Sequence, residues 1–482
     1  MNVRLILYFI GIVLIFISFF MLLPVVVSVF YKQSDTVPLV ESFFITFISG
    51  GILYLIARKH KREEIRHREA FIIVTLTWLV MSLFGAIPFL LTGTFHSFTD
   101  AYFESIAGFT TTGASVMKNI EITSRGVLFW RSMIQWIGGM GIIVFALAIL
   151  PILGTGGMQL FKAEVPEISV DKLRPRIVDT AKALWLIYVT LTALDTVLIM
   201  VAGMDFYDAV CHAFTTMATG GFSTKNTSIA YFKNPSVEYI TSLFMFLAGV
   251  NYSLHFYVFK GKPSKLWKSS EFKFYLAVTT IATILITINL WKSSYESLIE
   301  SFRYSLFQVV SLMTTTGYAT ADFEKWAPLA QIILVTIMFF GGMIGSTGGG
   351  IKQVRILLMI KQGYREMYQL IHPRAITSVK LDDKFLSKEI LGSIWGLIFL
   401  FLGVCLVATI GMAATGADIV TSVTTVISAT CNVGPALGVA GPAENYASIP
   451  AIGKWILVFC MLTGRLEVYT VLILFVPHFW KK

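Results

Sequence analysis

Glycine beside threonine offers a cation two kinds of oxygen: hydroxyls, and backbone carbonyls turned in directions that bulkier residues resist. The chain carries this pairing at Thr110-Thr111-Thr112-Gly113-Ala114-Ser115. It returns at Ala218-Thr219-Gly220-Gly221-Phe222-Ser223 and Thr314-Thr315-Thr316-Gly317-Tyr318-Ala319. A more distant form is Cys431-Asn432-Val433-Gly434-Pro435-Ala436. Four such loops around one axis could replace the water shell of a bare monovalent cation. None has Asp or Glu next to its glycine, which argues against an acidic ring selective for divalent ions. A single Thr-Gly pair could equally serve close helix packing. Four copies in order favour a pore.

The four loops belong to a longer repeat. Glycines 113, 221, 317 and 434 recur at intervals of 108, 96 and 117 residues. Gly221 is taken rather than Gly220 because the flanks then agree: Asp100 and Asp208 each stand thirteen positions before their glycine. Nine positions before lies a polar side chain in every copy, namely Glu104, His212, Gln308 and Thr425. Downstream, a small residue and a glycine recur as Gly138-Gly139, Ala248-Gly249, Gly341-Gly342 and Thr463-Gly464. Each unit therefore reads as membrane helix, pore half-helix, filter loop, membrane helix. A half-helix running into its loop would aim its negative C-terminal end at the pore. Non-helical backbone at that depth must face protein or a water-filled cavity.

The elements that must position these loops are membrane helices. The 482 residues are 56% hydrophobic and 14% charged, whereas soluble domains carry about 25% charged residues. Apolar runs such as 5–30 and 394–412 have the length of a bilayer span, about 20 residues. The first run exceeds the ~7–15-residue core of a signal peptide, so it reads as a retained helix. An N-terminal helical pair (1–68) precedes four pore units, 69–178, 179–270, 271–387 and 388–482. Two helices for the pair and two per unit give ten spans, the first unit closing near Gly154. The expected fold is an all-α polytopic membrane protein, four pseudosymmetric units around one central pore.

The net charge of +10 is explained by cytoplasmic loops rather than by nucleic-acid binding. Its cations cluster at Arg58, Lys59, Lys61, Arg62, Arg66 and Arg68, at Lys172, Arg174, Arg176 and Lys182, and at Lys260, Lys262, Lys265, Lys268 and Lys273. The stretch 352–388 and Lys481-Lys482 complete them. All lie on one side if both termini are cytoplasmic. Cys211, Cys405, Cys431 and Cys460 show neither zinc nor disulfide spacing. No HExxH, GxSxG or carboxylate-rich constellation suggests an enzyme.

These loops, the glycine-rich 341–350 segment and the leading helical pair together resemble the TrkH family of bacterial Trk potassium uptake subunits, within the TrkH/KtrB/HKT superfamily. The resemblance spans essentially the whole chain. It implies an inner-membrane potassium-conducting protein, a homodimer, and a TrkA-like cytoplasmic ring that brings the only nucleotide. It implies a K+ filter at Thr111, Thr112, Gly113, Thr219, Gly220, Gly221, Thr315, Thr316, Gly317, Asn432, Val433 and Gly434. Members with glycine in all four filter positions are generally potassium-permeable, and Gly113 fits that group. A secondary symporter coupling K+ to H+ or Na+ is the alternative mechanism.

Two features lie outside the loops. Gly341 to Gly350 interrupts an apolar segment, and its glycines disfavour helix by about 1 kcal/mol each. It fits no phosphate-binding motif. On residues alone it is a hinge or a close helix crossing; the resemblance implies an intramembrane gate through Gly345, Ser346, Thr347, Gly348, Gly349 and Gly350. Arg465 is a lone charge in an apolar helix, at the position of Met140, Val250 and Met343, and costs at least about 2.5–3.5 kcal/mol unless paired or hydrated. Glu467, two residues on, faces elsewhere. A salt bridge to another helix is one reading; the resemblance implies a cation barrier below the filter. His212 and Glu104 are expected to satisfy polar groups behind the filter rather than relay protons. Asp195 is a second isolated membrane charge with no evident partner.

Overall fold

The computed structural model describes residues 2–60, 66–149, 177–375, 377–382 and 384–481. Gly154 and the cations Lys61, Arg62, Lys172, Arg174, Arg176 and Lys482 lie outside the described residues. The described chain is built of helices, with one two-stranded antiparallel ribbon, Lys380–Leu381 against Lys384–Phe385.

Val3–Phe30 and Thr36–Ala57 form the N-terminal pair. Their connection is anchored by buried Asp35, which accepts from Ser124 Oγ at 2.5 Å and from Ser28. The pair is thereby fastened to the first unit.

The outer helices of the four units are His67–Gly85, Ile177–Val201, Ser270–Leu290 and Lys388–Ala414. Each is followed by a shorter helix: Phe98–Phe109, Phe206–Met217, Leu298–Met313 and Ile419–Cys431. These contain 12, 12, 16 and 13 residues. At 1.5 Å per residue they reach roughly 18–24 Å, too short for a hydrocarbon core of about 30 Å. They are half-helices. Asp205 and Asp418 start the second and fourth by accepting the backbone N–H groups of Asp208 and Thr421, as N-cap carboxylates do.

The inner helices do not follow one pattern. In the first unit Arg125–Ile149 is continuous. In the second, Pro235–Ala248 breaks and turns by 104° into Tyr252–Phe259. In the third, Pro328–Met338 stops and the chain resumes as Gln353–Ile371. In the fourth, Ala451–Arg465 turns by 118° into Val468–Phe475.

Among the described residues, six helices are long and apolar enough to cross a membrane, or eight with each bent pair as one span. The ten expected spans correspond to the N-terminal pair, four outer helices and four inner segments, of which three are broken or bent. The glycine-rich break foreseen in the third unit has counterparts in the second and fourth. Gly249 closes the first helix of the second unit's bend and Asn251 caps the next, accepting from Ser253 N at 2.8 Å. Glu467 takes a positive φ of 60°, which no helix interior allows.

Candidate cation pathway

Each half-helix ends in the same unusual backbone. Two residues before each repeat glycine the chain is left-handed: Thr111 (φ 52°), Thr219 (54°), Thr315 (61°) and Asn432 (57°). The glycines follow at φ 76° (Gly113), 74° (Gly221), 82° (Gly317) and 104° (Gly434). This places Gly221, not Gly220, in the repeated position. A β-branched residue held left-handed costs about 1–3 kcal/mol and persists only where the surroundings over-determine it. They do so here. The flanking hydroxyls pair at 2.8 Å in Thr110–Thr112 and in Thr314–Thr316. In the fourth loop Asn432, a residue at ease in this region, donates to Thr112 Oγ1 and Met461 O, both at 2.9 Å. The dissimilar fourth sequence keeps the shared backbone.

The four loops close on one another. A Cβ on Gly113 would fall on the carbonyl oxygen of Gly220, one on Gly221 on that of Thr316, and one on Gly317 on that of Val433. On Gly434 it would lie 2.7 Å from the carbonyl oxygen of Thr112. Units one, two, three and four thus abut in order and return to the first. The oxygens of Thr112, Gly220, Thr316 and Val433 stand at corresponding places in this ring. Above it opens a cavity of about 330 Å³ lined by all four glycines, with Ser115, Ser223, Lys118, Lys225 and Glu444 among its walls.

The polar residues nine positions upstream brace the far arm of the first three loops. Ser115 Oγ donates to Glu104 Oε1 at 2.9 Å and accepts Met117 N at 3.1 Å. Ser223 Oγ lies 2.9 Å from His212 Nε2 and accepts Lys225 N at 3.0 Å. His212 Nδ1 lies 2.7 Å from Asp208 O, so the hydroxyl donates to Nε2 in the neutral ring. Gln308 Nε2 reaches Thr320 Oγ1 at 3.3 Å. Thr425 departs from the pattern and bonds Thr421 O in its own helix at 2.6 Å. Glu104 and His212 therefore hold loop hydroxyls in place. Asp195, fully buried, has neither carboxylate oxygen hydrogen-bonded among the described residues.

Below the ring runs the glycine-rich segment. Gly349 N donates to Thr315 Oγ1 at 2.6 Å, and Thr347 Oγ1 shares its proton between Met217 O (3.0 Å) and Ala248 O (3.3 Å). Met343 N bonds Gly249 O at 2.8 Å, and Tyr252 N bonds Gly345 O at 3.0 Å. Buried Glu271 accepts from Ile344 N at 2.8 Å and Val354 N at 3.2 Å, one carboxylate oxygen thus pinning the segment on both sides. The Lys352 ammonium caps Gly348 O. Arg465, 4% exposed, donates to Thr347 O at 2.8 Å and to Gly138 O at 3.1 Å. It so ties the segment to the first and fourth units. Glu467 pairs instead with Arg355 at 2.7 Å.

The sequence profile of the TrkH family, described as a cation transport protein, matches residues 38–482. The chain belongs to the TrkH family. It is similar to the Trk system potassium uptake protein TrkH of Escherichia coli, 42% identical over 486 residues and covering 100% of both chains. The TrkG protein of the same organism's Trk system is 36% identical over 483 residues, covering 100% of this chain and 99% of that one. Among solved structures, the potassium transporter TrkH from Vibrio parahaemolyticus superposes with a TM-score of 0.92 at 38% identity, covering 100% of both chains. Family membership brings the fold expected from the repeat, and it is a family of transporters rather than catalysts.

Two residues of the first inner helix escaped the sequence reading. Arg131 Nε donates to Glu104 at 2.6 Å and its Nη1 to Ser223 O at 2.8 Å, joining the first two units. Gln135 Nε2 donates to Gly220 O at 2.6 Å while its Oε1 accepts Phe222 N at 3.0 Å. Both were visible as polar groups in an apolar helix, which point to function by default.

Proposed function

We propose that the chain is the potassium-conducting subunit of a bacterial Trk-type uptake system. The four loops form its filter, with Thr111, Thr112, Gly113, Thr219, Gly220, Gly221, Thr315, Thr316, Gly317, Asn432, Val433 and Gly434 supplying the oxygens. The observation that carries this reading is the closed ring, in which each glycine abuts the preceding-residue carbonyl of the next unit. Carbonyl rings replace hydration without fixed negative charge, so an ion enters and leaves at little net cost.

Residues 345–350 and Arg465 act as the gate. The guanidinium and the loop it holds obstruct the path beneath the filter until a TrkA-like, nucleotide-binding cytoplasmic ring displaces them. The protein works as a homodimer in the inner membrane with both termini cytoplasmic, and its pore units divide near residues 68, 178, 270 and 387. The positive clusters around 260–273 and 352–388 support that orientation.

Flux measured in proteoliposomes under imposed potassium and voltage gradients tests the mechanism. Passive movement that reverses at the potassium equilibrium potential is expected. Uphill potassium movement driven by a proton or sodium gradient would establish the symporter instead.

A further inference from the structure

The four carbonyls of the ring are not equivalent, and the difference comes from one side chain. Among the described residues, Gly220 O alone of the four (with Thr112 O, Thr316 O and Val433 O) accepts a hydrogen bond, from Gln135 Nε2 at 2.6 Å. The same amide accepts Phe222 N at 3.0 Å. With a donor on one side and an acceptor on the other, its orientation is fixed. Gln135 is fully buried.

The local sequence is built around this contact. The first and third loops brace themselves with paired hydroxyls, Thr110–Thr112 and Thr314–Thr316. The second has Ala218 and Gly220 in those places. A Cβ on Gly220 would lie 2.4 Å from Gln135 Cδ and 2.5 Å from its Oε1. Gly220 is thus small because the amide occupies the space where the other loops carry a side chain. Gln135 itself stands three residues before Gly138, a position held by Met245, Met338 and Cys460 in the other units. It is the polar member of an otherwise apolar set.

We propose that Gln135 is a positioning residue that sets discrimination between potassium and sodium in the second quarter of the filter. This rests on the four loops being the filter. A carbonyl that already accepts an N–H bond is held at a fixed distance from the axis and presents a weaker field to an ion. Weak, fixed oxygens favour the larger and more easily dehydrated ion; stronger or mobile ones admit the smaller. Removing the amide therefore frees Gly220 O and shifts preference toward sodium, with the potassium path still open.

The test compares potassium and sodium fluxes into proteoliposomes for the wild-type protein, Gln135→Leu and Gln135→Met, each confirmed monodisperse by gel filtration. Loss of one buried hydrogen bond is worth about 1 kcal/mol, so the potassium-to-sodium ratio in Gln135→Leu is expected to fall at least about fivefold, with potassium flux largely kept. If both fluxes fall in proportion and the ratio stays, Gln135 is structural support only and the proposal is overturned. Should the leucine variant not fold, Gln135→Met keeps the side-chain length while removing both bonds. Its ratio is expected to fall by a similar factor, and an unchanged ratio overturns the proposal equally. A wild-type protein with no preference for potassium would sink the filter reading itself. A selective wild type with equally selective variants would sink only the role of Gln135.

Discussion

The ring of loops and the layer beneath it are made by the same four units, yet they obey opposite rules. In the ring, four different sequences converge on one backbone: Thr, Thr, Thr and Asn are all left-handed before glycines that are all at positive φ. Beneath it, four aligned Gly-containing steps diverge into a continuous helix, a 104° bend, the 341–350 crossing and a 118° bend. On the proposed function an ion meets corresponding oxygens from all four units, which the shared backbone supplies even where one of them, Gly220 O, carries an extra hydrogen bond. On the same proposal an obstruction needs only one loop and one fixed cation, so control falls to the asymmetric lower layer and selection to the ring.

The strongest way to break it is to spoil the ring. Gly317→Ala would drive a methyl group onto the Val433 carbonyl while forcing alanine to φ 82°. Strain of ~1–3 kcal/mol falls on the backbone alone, and potassium uptake is expected to drop by about 100-fold. Complementation of a potassium-uptake-deficient strain reads this directly. Near-normal growth would show that the ring is not the conducting element.

Changes in the lower layer should act in the other direction. Arg465→Ala removes both bonds to Thr347 O and Gly138 O. Basal potassium flux without any partner is expected to rise at least about tenfold, the weight of a single charge-assisted bond of about 1.5 kcal/mol. Glu271→Ala frees Ile344 N and Val354 N and should raise basal flux by a few-fold. Glu271→Gln keeps an acceptor oxygen and should stay nearer to wild type. Equal effects of the two substitutions would mean that the carboxylate, not the paired bonds, matters.

The smallest expected effect sharpens the contrast, because it touches one half-helix and neither layer directly. The backbone N–H and hydroxyl of Thr421 hold the Asp418 carboxyl below the usual carboxylate range. A lowered folded-state pKa means that its stabilisation is present above that range and is lost as pH falls through it. Asp418→Ala should therefore cost about 1 kcal/mol of stability near neutral pH, shrinking toward acid in thermal melts. Dependence on a partner should not change.

The two layers also differ in how far the sequence discloses them. The repeat of glycines, the polar residues nine positions upstream and the small-Gly steps were all readable by spacing, since a repeated backbone demands repeated residue types. The register of Gly221 over Gly220 was recoverable from Asp100 and Asp208 alone. What spacing could not give was any contact between units. Glu104 meets Arg131, Gln135 meets Gly220, and Glu467 meets Arg355 rather than Arg465. Each pair joins helices far apart in the chain, and nothing local fixes which faces meet. The bends at Asn251 and Glu467 escaped for a related reason. Neither is marked by a glycine run, and left-handed Glu467 is paired with Arg355 of a helix far off in the chain.

The division of labour between the layers is tested most directly by measuring basal flux and the potassium-to-sodium ratio together on Arg465→Ala. Basal potassium flux is expected to rise at least about tenfold with the ratio unchanged from wild type. A ratio that collapses while basal flux stays at the wild-type level would contradict it.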